Sequence, residues 1–293
     1  MDERNLEVRG FLYHKTPSGE LAVHSSTGIV LVGDQSMQQF ILNLETEGKR
    51  EVSSESLQNW FGERSLAAEQ FLIQYDILRR RLGFNFDVQE VEFATNCPGV
   101  GEVVTSAFDG VPTWKYAEFS DAGRLKEIVQ GVENRPVAFV TFLSPYSRRL
   151  ARIIRDGLLR SKDTILLTSY MYNGALYIDS LYQEKWRVPC HFCQINQVES
   201  DLRFGLVKRV TYQKIIDQLY EYEADFEVQT PLSPRWRLNV ATQLVNRIDR
   251  LITASNGDRI TLDEIGTAHV FNLNTMQEYQ DVTTHWELCD CYE

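Results

Sequence analysis

The chain has 293 residues, 43% of them apolar and 11% aromatic, and a net charge of −11. That length fits about two domains, and that composition excludes a disordered chain. The acidic balance excludes a general binder of phosphate backbones, and no apolar run is long enough to span a bilayer.

The first residues, Met1-Asp2-Glu3-Arg4, are polar and acidic, so no signal peptide is expected and a cytoplasmic location follows. Residues 9–33 alternate and turn like three short strands, the last being Gly28 to Val32. Asp34 stands where an N-cap would. Met37, Phe40, Ile41 and Leu44 then share one helical face. Ser53 is positioned to cap a second helix carrying Leu57, Trp60 and Phe61, and a third helix is predicted from Ser65 to about Arg81.

Three strands and three helices in residues 1–86 suggest a winged helix-turn-helix. Charge opposes DNA binding, because these residues hold nine Lys/Arg and twelve Asp/Glu, a net of −3. Arg79-Arg80-Arg81 reads as the cationic end of the third helix. That helix carries two apolar stripes. Phe71, Tyr75, Leu78 and Leu82 form the expected core face, and Leu66, Ile73 and Ile77 form a second, rimmed by Glu69, Gln70, Arg80 and Arg81. With Ile29 and Leu31 of the preceding strand, the second stripe would make a groove for an extended peptide added as a strand. The alternative is that this stripe packs on the second domain.

Residues 87–293 read as a second domain, after a hinge at Gly83–Asp87. Strand, helix, strand, helix, strand from Val88 to Leu143 predicts an α/β fold with a parallel sheet. Further strands follow at Thr164–Tyr170 and Ala175–Asp179, with Asn173-Gly174 as a hairpin turn, and then mostly helix. Gly99-x-Gly101 follows a strand and opens a helix, and Asp121 lies at the spacing of a ribose-binding acid. However, the third glycine position is Val104, and Glu102 sits where a pyrophosphate would be cradled. No nucleophile, base and orienter can be assembled elsewhere, and there is no phosphate-binding loop.

Cys190-His191-Phe192-Cys193 and Cys289-Asp290-Cys291 remain. Four thiolates make a closed tetrahedral shell for zinc, which is structural because it leaves no position for water. His191 or His285 replacing one cysteine is the rival quartet, and paired oxidation is a further one. Cys97 is left over, and reads as a small buried residue.

Several of these residues carry a resemblance. Ser169-Tyr170, Ile178-Asp179, Tyr182, Val188-Pro189-Cys190-His191-Phe192-Cys193 and His285-Trp286-Glu287-Leu288-Cys289-Asp290-Cys291 resemble the B subunit of thiazole/oxazole-modified microcin synthetases, the McbB type. Gln70-Phe71-Leu72-Ile73 extends the likeness to the first domain. The resemblance implies a winged-helix domain (1–86) that captures a precursor's leader peptide. It also implies a degenerate ThiF-like Rossmann-type domain (87–293) with structural zinc and no adenylation. Ser144-Pro145 stands where adenylating relatives carry an aspartate for magnesium.

The expected role is a non-catalytic scaffold for two partners. One is a YcaO-type cyclodehydratase using ATP and magnesium. The other is an FMN-dependent dehydrogenase. A second copy of the chain is a further expected partner, and nucleic acid and membrane are not. The expected groove residues are Ile29, Leu31, Leu66, Gln70, Ile73 and Ile77, and the expected metal ligands are Cys190, Cys193, Cys289 and Cys291. An ATP-dependent ThiF-like adenylyltransferase is the enzyme alternative, and a zinc-stabilised DNA-binding regulator is the third reading.

Overall fold

A computed structural model describes residues 5–49, 51–80, 86–109, 111, 113–204, 210–253 and 260–292. The chain divides into two compact units, Met1–Gly83 and Phe84–Glu293. The hinge expected at Gly83–Asp87 falls mostly outside the described residues.

In the first unit, β1 (Asn5–Val8) is followed by a meander of β2 (Leu12–Lys15), β3 (Leu21–Ser25) and β4 (Gly28–Val32). Asp34 caps α1 (Gln35–Thr46) by accepting from the Met37 amide, and Met37, Phe40, Ile41 and Leu44 are buried as their spacing predicts. β5 (Glu51–Ser53) leads into α2 (Ser54–Phe61), whose N-cap is Ser53. A 3-10 turn at Gly62–Arg64 then enters α3 (Ser65–Gln74).

The third helix ends seven residues before the predicted Arg81. Asp76 turns the chain with φ +48, and Leu78–Arg80 becomes β6, paired antiparallel with β1. Long-range strand pairing overrides the local helical pattern here. The core face of α3 is Ala68 and Leu72. Phe71 and Tyr75, the predicted core stripe, are only half-buried and pack on each other at 4.8 Å. The basic triplet is therefore not a helix end: Arg79 and Arg80 lie in a strand, and Arg81, like Leu82, falls outside the described residues.

The second unit is built on a seven-stranded sheet. β7 (Glu90–Thr95), α4 (Pro98–Ala107), β8 (Trp114–Glu118), α5 (Ala122–Val132) and β9 (Val137–Leu143) come first. β10 (Tyr146–Ser147), α6 (Arg148–Leu158), β11 (Ile165–Tyr172), β12 (Ala175–Ile178), α7 (His191–Arg203) and α8 (Tyr212–Tyr222) follow. The last elements are β13 (Glu227–Val228), α9 (Pro234–Leu251), α10 (Leu262–Gly266), β14 (Thr267–Asn272) and β15 (Gln277–Val282). The sheet order is β15-β14-β12-β11-β9-β7-β8. β8, β7, β9 and β11 are parallel, as the strand–helix alternation predicts, and the remaining strands are antiparallel. β9 and β11 are buried along their whole length, which explains their continuous apolar runs. Asn173 and Gly174 both take positive φ at the β11–β12 turn, the backbone that an Asn-Gly hairpin supplies.

Candidate functional site

Cys190 occupies the N-cap position of α7, and the first helical turn carries Cys193 back beside it. The tail returns across α6 and turns at Trp286, whose carbonyl accepts from the Cys289 amide. The four Sγ atoms of Cys190, Cys193, Cys289 and Cys291 all lie within 4.8 Å of one another, and all four residues are buried. The approaches between arms are Cys190 to Cys289 and Cys193 to Cys291, both 3.5 Å. A tetrahedron with metal–sulfur bonds of about 2.3 Å has edges of about 3.8 Å, so the spacing fits a four-thiolate metal shell. It is far from the roughly 2.0 Å of a disulfide.

The electrostatics agree. Hydrogen bonds from Cys190 and Cys291 push the Cys193 thiol down to about 4, while Cys190 and Cys193 push Cys291 up. Negative charge is favoured on Cys193 and disfavoured on Cys291. A bound dication would displace the remaining thiol protons. Arg155 of α6 adds positive charge at the rim, with Nη2 3.9 Å from the Cys289 sulfur and an ion pair to Asp290. Burial opposes its charge, but Asp156 and the sulfurs of Cys190 and Cys289 outweigh that and hold the guanidinium above its ordinary value.

The histidine alternatives separate cleanly. His191 points away from the sulfurs, with Nδ1 2.7 Å from Asp179 and Nε2 3.0 Å from the Tyr146 hydroxyl. All three residues are buried, and burial raises the Asp179 carboxyl despite the pull of His191. This chain ties the Cys-x-x-Cys turn to the sheet. His285 does reach the cluster, with Nδ1 3.4 Å from Cys291 and Nε2 donating to the Arg187 carbonyl. Cys97 is half-buried, away from the quartet, and burial pushes its thiol up.

The remnant glycine turn is filled by the protein itself. A Cβ on Gly101 would lie 2.4 Å from the Tyr116 hydroxyl, so the room that glycine leaves is taken by a tyrosine ring. A Cβ on Gly99 would lie 3.1 Å from the Arg237 guanidinium. Asp121 caps α5, accepting from the amides of Gly123 and Arg124, and these bonds hold its carboxyl below the ordinary value. The spacing that suggested a ribose ligand is that of a helix cap.

In the first unit, β4 is an edge strand of its sheet. Ile29 and Leu31 are 71% and 56% exposed, and Leu66 at the start of α3 is 65% exposed. Gln70 is exposed, and Ile73 is half-buried against the unit's core. Ile77 is a correction. It follows the end of α3, is fully buried, and cannot line a groove. Two side-chain ties that the sequence did not reveal link residues flanking β4 to residues flanking α3. Arg64, just before α3, pairs with Asp34, just after β4, at 2.8 Å. At the other end, Ser26 in the β3–β4 turn donates to Asp76, just after α3.

The family whose sequence model describes the "Microcin B17-processing protein McbB" matches residues 6–293. The chain belongs to the McbB family. Its fold is similar to a chain of the E. coli microcin synthetase McbBCD complex with pro-MccB17 bound, with a TM-score of 0.71 at 15% identity, covering 98% of this chain and 99% of that one. A second McbBCD complex from E. coli gives a TM-score of 0.54 at 14% identity, covering 98% and 100%. No curated protein sequence matches the chain. No helix among the described residues is long and apolar enough to cross a membrane.

Proposed function

We propose that this McbB-family chain is the leader-binding and scaffold subunit of a heteromeric azole synthetase. The observation that carries this reading is the edge strand β4, which among the described residues pairs only with β3 and carries exposed Ile29 and Leu31. Leu66 at the start of α3 is exposed as well, and the Arg64–Asp34 and Ser26–Asp76 pairs link the ends of β4 and α3. An extended leader peptide would add to β4 as a further strand, with Leu31, Leu66, Gln70 and Ile73 selecting its side chains. On this reading residues 1–86 form a winged-helix recognition domain and residues 87–293 a ThiF-like body. The fold likeness to a chain of the E. coli McbBCD complex with pro-MccB17 bound supports the same occupant.

Zinc would be held by Cys190, Cys193, Cys289 and Cys291, and it supplies no chemistry beyond the fold because the shell is closed. The residues around it act on the protein. Asp179 and Tyr146 fix the α7 turn through His191, and Arg155 holds the tail. The second unit is read as non-catalytic because Tyr116, Arg237 and the committed Asp121 leave the glycine turn without a nucleotide cradle. Cyclodehydration with ATP and magnesium, and dehydrogenation with FMN, then belong to partner subunits.

The test is fluorescence anisotropy with the full chain and the labelled leader of its own precursor. Saturable binding that Leu31→Asp abolishes is expected. No saturable binding sinks the leader reading. ATP–pyrophosphate exchange by the purified chain would instead favour the adenylyltransferase.

A further inference from the structure

The strongest feature outside the metal cluster and the β4 groove runs along α6. This helix carries Arg148, Arg149, Arg152 and Arg155 in a chain whose net charge is −11. Gly157 lets α5 come unusually close, since a Cβ there would lie 2.3 Å from Val129 Cγ1. The two helices leave a trough of about 830 Å³ floored by Val129, Ile153 and Gly157 and closed at one side by Tyr220. A second hollow of about 390 Å³ continues from it, lined by Phe192, Trp286 and Leu288 beside the sulfur cluster. Arg152 and Asp156 line both, so the two form one groove over the α6 surface.

The charges in this groove divide into used and unused. Arg148 is bonded to buried Glu199 and lies over the Tyr220 ring, 3.9 Å from its centroid. Arg149 pairs with Asp225 at 2.8 Å, and Arg155 pairs with Asp156 and Asp290. Lys126 and Arg152 are exposed, and neither has an ion-pair partner among the described residues. Two unpaired cations thus flank an apolar floor on an acidic protein. Leu288, 91% exposed, adds an anchor next to Cys289 of the buried sulfur quartet.

We infer that the α6 groove docks an acidic segment of a partner protein. Carboxylates would pair with Lys126 and Arg152, and apolar side chains between them would cover half-buried Ile153 at one end and Trp286 and Leu288 at the other. The complementarity rests on charge and on apolar area together, which is the pattern of a specific protein interface. The inference is independent of what occupies the β4 groove.

Fluorescence anisotropy with the full chain tests it. The probe is a fluorescein-labelled peptide of repeated Glu-Leu-Glu-Phe, with the same peptide carrying lysine for glutamate as control. The acidic peptide binds saturably, and the lysine peptide does not. Lys126→Glu with Arg152→Glu weakens binding by about tenfold, and Leu288→Asp also weakens it. These three side chains are exposed, so the variants keep the fold, which circular dichroism checks. Absent binding, or binding indifferent to the charge reversal, overturns the inference. So does equal binding of a single-stranded oligonucleotide. A dimer seen by light scattering that the charge reversal dissociates would give the groove to a second copy and also overturn it.

Discussion

The Sγ atoms of Cys193 and Cys291 stand 3.5 Å apart although 98 residues separate them in the chain. Uncharged thiols gain little from such an approach, and thiolates repel. A bound metal would make the quartet stable. The purified chain is expected to hold about one zinc, measured by elemental analysis. Cys193→Ser and Cys291→Ser each lose it, and chelation lowers the Tm, because structural zinc contributes on the order of 10 kcal/mol of apparent binding energy. A metal-free chain with a Tm indifferent to chelator would remove the site.

Leu31 and Ile77 were expected in one groove, and the structure separates them. Leu31→Asp should lower leader affinity by about tenfold or more with an unchanged Tm, because Leu31 is exposed. Ile77→Ala should cost about 2–5 kcal/mol of stability, the range for emptying a core site. Calorimetry beside the peptide titration distinguishes the two. The reverse pattern would contradict both the groove and the corrected end of α3.

Gly101 and Tyr116 form a testable pair. Gly101→Ala drives a methyl group into the Tyr116 ring and should destabilise the chain by about 1–3 kcal/mol. Adding Tyr116→Ala should recover part of that loss, and a double-mutant cycle in urea measures the coupling. Strict additivity of the two changes would show that they do not touch.

His269 gives the pH dependence. Burial, and then the nearby Arg247, hold its imidazole below the ordinary value of 6.5, against the pull of Glu278. The unfolded chain therefore binds a proton that the folded chain resists. The stability this reflects is present above pH 6.5 and is lost as pH falls below it. Urea midpoints at pH 7.5 and 5.5 should differ, and His269→Gln should narrow the difference.

Some of this molecule was legible before folding. Four cysteines in two short motifs were expected to meet, and the structure gathers their four sulfurs. The α1 face and the parallel strands were readable from periodicity. The end of α3 was not. Residues 75–81 continue a helical pattern, and only pairing with β1, a strand more than seventy residues earlier in the fold and unmarked by alternation, draws Leu78–Arg80 into a sheet. Arg155 and Tyr146 carry no local signal, and Asp179 entered only through the resemblance, since their roles arise where distant elements meet. Asp121 had the right spacing for one role and the chemistry for another, and a helix start claimed it.

The long span between the two cysteine pairs also sets an order of events during synthesis. Cys190 and Cys193 leave the ribosome well before Cys289 and Cys291, so the earlier pair waits while α8, α9 and the β14–β15 hairpin are made. A chain cut short anywhere in that stretch never completes the ligand set. Metal content would then report how much of the second unit has been finished, and incomplete chains would be left to proteolysis.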